Sequence, residues 1–140
     1  MIMVIAINGE GLVLGRLASF TAKKISQENV EIIIYNAKKI VVSGQKKDIL
    51  RRYQQRRKKG DPIRGPFFPR TSVGIVRRAV RGMLGHTSPK GKARFKLLKV
   101  YEREDYGDAK DIIKVEVKTA KALEKSKYMT IGKLSQELGY

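Results

Sequence analysis

Residues 4–43 read VIAINGEGLVLGRLASFTAKKISQENVEIIIYNAKKIVVS, and their patterning decides the fold. Val4–Asn8 is continuous, apolar and β-branched, which suits a central strand of a parallel sheet, buried on both faces. Leu14, Leu17, Ala18, Ala22 and Ile25 recur at helical spacing, predicting a helix that runs to about Gln27. Arg16, Lys23 and Lys24 fall off its apolar stripe. Residues 30–35 (VEIIIY) predict a second buried strand. Residues 40–43 (IVVS) predict a third, after a turn at 36–39. Strand, helix, strand is a βαβ unit, whose crossover is right-handed in nearly all known sheets. The class is α/β.

Beyond Gly44, residues 46–59 carry a short apolar stripe of Ile49, Leu50 and Tyr53 on an otherwise basic segment. A solvated helix face would place acids four residues from its bases, and only Asp48 is available. Residues 60–70 (GDPIRGPFFPR) hold three prolines and no periodicity, which predicts a loop. Phe67 and Phe68 either stack on bases or staple that loop to the core, and the staple is preferred for at least one of them. From Val73 a helix follows, with Ser72 or Thr71 able to cap it. At 100° per residue, Val73, Val76, Ala79, Val80, Met83 and Leu84 share one arc. Gly74, Arg77, Arg78, Arg81, Gly82 and Gly85 share the opposite one. That second face has arginine and glycine but no acid, a composition suited to phosphate. A loop at 86–91, a basic turn at 92–96 and a fourth strand at 97–101 follow. Residues 102–111 read as a surface linker, and 113–118 give no firm pattern. Thr130 caps a last helix in which Ile131, Leu134 and Leu138 share a face and Gly139 is the stop.

The 140 residues are 41% hydrophobic, enough for one folded domain with a real core. The net charge of +18 would repel itself unless a polyanion neutralised it. Residues 46–103 hold 19 Lys and Arg against Asp48, Asp61 and Glu102, which concentrates +16 of that charge centrally. There is no cysteine, hence no disulfide, thiolate nucleophile or Cys-ligated metal. The apolar run at 1–7 is far shorter than a bilayer crossing and lacks the basic leader and cleavage site of a signal peptide.

Gly9, Gly11 and Gly15 form G-x-G-x-x-x-G between a strand and a helix, a variant of the dinucleotide fingerprint. A ribose-binding acid at the end of the second strand is missing, because Tyr35 and Asn36 stand there. The tight-turn reading is therefore preferred. His86 is the only histidine and follows a helix C-terminus, where it caps or contacts RNA. No pair of acids on one predicted element suggests acid–base work. A DNA-compacting or membrane-surface protein ranks lower, because the basic residues sit within a globular pattern. The phosphate-contacting set is Lys46, Lys47, Arg51, Arg52, Arg56, Arg57, Lys58, Lys59, Arg64, Arg70, Gly74, Arg77, Arg78, Arg81, His86, Lys90, Lys92 and Arg94. Gly74 joins it as a point where a missing side chain lets an RNA backbone approach. No catalytic residue, metal ligand, cofactor or small-molecule substrate is expected.

GRLAS at 15–19, SG at 43–44, RGP at 64–66, RGMLGH at 81–86 and LKVYE at 98–102 resemble the large-subunit ribosomal protein L-thirteen family in its archaeal and eukaryotic form. The match covers most of residues 6–102. The resemblance implies a three-layer α/β/α domain with a four-stranded, mainly parallel sheet. It further implies large-subunit ribosomal RNA and neighbouring ribosomal proteins as partners, a place on the cytoplasmic ribosome, and no catalytic role. The domain expected is 1–140, with a core to about 102 and a C-terminal extension over 103–140.

Overall fold

The computed structural model describes residues 4–59, 63, 68–103 and 128–139. Three parallel strands, β1 (Val4–Asn8), β2 (Glu31–Tyr35) and β4 (Leu98–Val100), form a sheet in the order β1-β2-β4. Val4 pairs with Glu31 and Asn8 with Tyr35, while Ile32 pairs with Leu98 and Ile34 with Val100. The central strand is thus β2, not β1. Ile32, Ile33 and Ile34 are all buried, as a strand covered on both faces requires.

Helix α1 (Leu14–Glu28) buries Leu14, Leu17, Ala18, Ala22 and Ile25, the predicted stripe, together with Thr21. Asn29 stops it in the left-handed conformation, its N–H donating to the Ile25 carbonyl. Helix α3 (Ser72–Met83) lies against α1 and reaches the sheet at β4. Ile5, Ile7, Ile32, Ile34, Leu98 and Val100 share one core with Leu17, Val76 and Val80.

The predicted third strand, β3 (Val41–Ser43), leaves this sheet. It pairs antiparallel with β5 (Tyr128–Thr130), Val41 opposite Thr130 and Ser43 opposite Tyr128. A four-stranded sheet is therefore replaced, among the described residues, by three parallel strands and a separate two-stranded ribbon. The cause is local. After β2, a 3-10 turn over Ala37–Lys39 redirects the chain, and Asn36, left-handed at φ 62°, starts that turn. Its N–H donates to the Arg103 carbonyl and its side-chain amide to Asn8 Oδ1 (3.3 Å), while both positions beside β2 are already taken by β1 and β4. The chain then meets β5, a strand that the sequence did not announce.

Thr130 ends β5 and caps α5 (Ile131–Glu137), its hydroxyl accepting from the Lys133 N–H. Ile131, Leu134 and Leu138 are buried in the same core as Ile40, Ile49 and Tyr53. This last segment is packed, not appended. Ser72, at the start of α3, donates from its hydroxyl to Glu102, whose other carboxylate oxygen lies 3.6 Å from Lys38 Nζ. Glu102 thus joins the end of β4 to α3 and the 3-10 turn, and it does not begin a surface linker. Residues 104–111 of the expected linker and the unassigned segment at 113–118 lie outside the described residues.

Candidate nucleic-acid interface

Helix α2 (Lys46–Lys58) buries only Ile49 and Tyr53. A narrow apolar contact on a thirteen-residue helix leaves most of its surface to the bases. Lys46, Lys47, Arg51, Arg52, Arg56, Lys58 and Lys59 are exposed. Arg51 meets Asp48 at 3.5 Å and Lys46 meets Glu137 at 3.9 Å, surface pairs worth at most about 1 kcal/mol each. Lys47, Arg52, Arg56, Lys58 and Lys59 have no acidic partner among the described residues. Arg57 is different: it is half-buried and donates from Nη1 to the Leu138 carbonyl at 2.9 Å, which ties α2 to the end of α5.

The loop before α3 returns to α2 through Phe68. Its ring meets Tyr53 edge-on at 5.6 Å, and the guanidinium carbons of Arg56 and Arg78 each lie 5.6 Å from its centroid. Phe68 is the staple, and Phe67 and Arg64 lie outside the described residues. Arg70 is exposed, and its carbonyl accepts from Ser135 Oγ at 2.6 Å, a second tie to α5. Burial raises the Tyr53 phenol above its ordinary pKa, although Arg56 and Arg52 pull the other way.

Thr71, not Ser72, caps α3, its hydroxyl accepting from the Gly74 N–H at 3.0 Å. The buried face is Ser72, Ile75, Val76 and Val80, continued by Leu84 beyond the helix. The wheel omitted Ile75, which is buried, and misplaced Met83, which is 50% exposed. Gly85 lies past the helix at φ 64°. Arg77 is exposed and rests on the Phe95 ring, 4.9 Å from its centroid. Arg78 and Arg81 are half-buried. Arg81 Nε is buried without a hydrogen-bond partner, and desolvation first, then Arg78, pushes its pKa below the ordinary arginine value.

Gly74 has an internal reason. A Cβ there would stand 2.6 Å from Pro69 Cβ and 2.8 Å from the capping oxygen of Thr71. The space that the missing side chain leaves is taken by Pro69 and Thr71 of the protein's own loop, not left open to an RNA backbone.

The expected loop and basic turn after α3 contain a helix instead, α4 (Pro89–Phe95), with Ser88 as its cap and Pro89 at its first position. Lys90 and Lys92 are exposed on it, Arg94 half-exposed, and His86 lies half-exposed in the turn before it. Gly91 seats α4 on the turn that follows α3, while Arg77 on Phe95 joins the two helices directly. The position of its absent Cβ is 1.9 Å from the Gly85 carbonyl oxygen, so only glycine lets the two backbones touch. That contact carries no periodic signal, and the pairing of two glycines six residues apart was its one trace in the sequence.

The dinucleotide reading fails on geometry. The N–H of Gly9 donates to the Tyr35 carbonyl (2.9 Å) and that of Gly11 to the Lys39 carbonyl (3.0 Å), so neither can cradle a phosphate. A Cβ at Gly9 would meet Ile40 at 2.6 Å, the close packing that explains the glycine.

Phe68 thus brings α2 and α3 together, and Gly91 and the Arg77–Phe95 contact bring α3 and α4 together. The fold and this surface define a class: a basic α/β protein whose helices α2, α3 and α4 carry exposed lysines and arginines. Residues 2–106 match the family model described as Ribosomal protein L13, and the chain belongs to that family. It is a family of ribosomal proteins, not of enzymes. Relatives named large ribosomal subunit protein uL13 are similar over nearly the whole chain. That of Methanocaldococcus jannaschii is 42% identical over 137 residues, covering 95% of this chain and 96% of the relative. Those of Methanosarcina barkeri (37%; 95% and 96%) and Methanosphaera stadtmanae (40%; 98% and 98%) are alike in extent. Among the described residues, no helix is long and apolar enough to cross a membrane.

Proposed function

We propose that this chain is a structural constituent of the large ribosomal subunit that binds large-subunit ribosomal RNA through α2, the loop before α3, α3 and α4. The observation that carries this reading is the acid-poor cationic face. Lys47, Arg52, Arg56, Lys58, Arg77, Arg78, Lys90, Lys92 and Arg94 all lack an acidic partner among the described residues. Their mutual repulsion favours a polyanion with closely spaced charges over solvent. Lysines and arginines here neutralise phosphates of adjacent RNA helices and let them pack during assembly. Phosphate contacts fix position and carry little sequence information, so RNA tertiary shape supplies specificity. Neighbouring ribosomal proteins are the second class of partner, and the ribosome in the cytoplasm is the place of action.

Filter binding to large-subunit RNA across a salt series tests this. With several phosphates neutralised, the log–log slope of affinity against salt is expected to be about −4 or steeper. A nearly flat dependence refutes the reading, as does loss of the protein from large subunits in a wash of modest salt.

A further inference from the structure

Within that cationic face, one place is built differently from the rest. Tyr53 and Phe68 form an edge-on aromatic pair at the junction of α2 and the loop. Arg56, from α2, lies 5.2 Å from the Tyr53 ring and 5.6 Å from the Phe68 ring. Arg78, from α3, lies at the same 5.6 Å from Phe68. Two guanidinium groups from different helices are therefore held by one ring. Neither has an acidic partner among the described residues. Arg81 lies near enough to Arg78 for the two charges to disfavour each other, and its buried Nε has no hydrogen-bond partner. Guanidinium groups held on a ring without acidic partners are satisfied by an anion that can accept from several N–H groups. The aromatic contacts have already reduced the rotamer freedom of Arg56 and Arg78, so less ordering is left to binding.

We propose that Arg56 and Arg78, held on Phe68, form a clamp for a single RNA phosphodiester at the junction of α2 and α3, with Phe68 as its positioning residue. The inference rests on the RNA-binding reading above and adds a location, a stoichiometry and a role for an uncharged side chain. Guanidinium is required because its planar donors both stack on the ring and grip phosphate oxygens. Lysine offers the same charge without that geometry.

The test is filter binding of the full chain to large-subunit ribosomal RNA transcribed from the Methanocaldococcus jannaschii sequence, over a salt series. Arg56→Gln and Arg78→Gln each leave the phosphate paired by the other arginine, so each is expected to weaken binding with a salt slope near the parent's. Because both arginines serve one phosphate, the double variant is expected to lose about 1 and not about 2. Arg56→Lys and Arg78→Lys keep the charge and are expected to bind roughly tenfold more weakly with the parent slope. Phe68→Leu is expected to weaken binding similarly, again with the parent slope, at a temperature where circular dichroism shows it folded. A Phe68 that only staples the loop would lower the melting temperature and leave affinity unchanged. If Phe68→Leu does not fold, the two lysine variants decide the matter. Parental affinity in both lysine variants overturns the clamp, and so does a loss of about 2 in the slope of the double glutamine variant. Absence of RNA binding by the parent chain overturns the broader reading instead.

Discussion

Gly91→Ala is the sharpest test of how α4 and its basic residues are held. Ordinary contact for a Cβ begins near 3.4 Å, and here it would sit 1.9 Å from the Gly85 carbonyl oxygen, 2.5 Å from the Gly85 carbonyl carbon and 2.6 Å from the Leu84 carbonyl oxygen. All three are backbone atoms, so no rotamer change gives relief. Helix α4 and the turn at Leu84 and Gly85 that joins it to α3 must separate by about 1.5 Å, the difference between those two distances. The Gly85 carbonyl also accepts from the Ser88 N–H (3.1 Å) and hydroxyl (3.0 Å), and that hydroxyl caps α4 by accepting from the Gly91 N–H. Forcing the two apart strains this cap as well. Overpacking costs about 1–3 kcal/mol and a lost cap about 1 kcal/mol, against a helix-propensity gain of up to about 1 kcal/mol. The net expectation is a destabilisation of about 2 kcal/mol, a fall in melting temperature of roughly 6–8 °C for a chain of this size. Gly82→Ala is the control. That helical glycine has nothing within 4 Å of its absent Cβ, so the same substitution should hold or raise stability by up to about 1 kcal/mol. Thermal melts by circular dichroism on both variants decide. A Gly91→Ala protein that melts at or above the parent temperature refutes the backbone-contact argument.

Two further outcomes follow from the same geometry. Gly74→Ala should lower the melting temperature, because contact with Pro69 and Thr71 outweighs the propensity gain; a rise would return the glycine to the open surface. The raised pKa of Tyr53 has a defined sign: above the ordinary phenol value near 10 the unfolded chain releases its proton before the folded one, so the stability contribution is complete below about pH 10 and lost as pH rises through the folded value. In urea unfolding at pH 8–11.5, the parent should therefore lose stability relative to Tyr53→Phe only in the alkaline range, and parallel curves would contradict the burial argument.

Whatever depends on periodicity and charge was legible in the chain's residues. The run EIIIY had to be a buried strand, and the spacing of Leu14, Leu17, Ala18, Ala22 and Ile25 had to be a helix on it. The arginines of α3 were legible because no acid accompanies them, and Thr130 with Gly139 marked both ends of the last helix. Short motifs in order were enough to reach the family. Contacts between segments distant in the chain leave no local pattern, and these emerge from the fold alone. β3 has the same strand-like composition whether it joins the main sheet or pairs with β5; β1 and β4 already flank β2, and β3 is held instead by β5 and by the Val41 N–H donating to the Leu12 carbonyl. β5 is three residues long, too short for alternation to register. Gly74 and Gly91 are alike in sequence as glycines near a helix start, and only the position of Pro69 and of the Gly85 carbonyl says that both are there for packing. The clamp on Phe68 is of this kind as well: each arginine belongs to its own helix, and the ring that brings them together lies on the loop between.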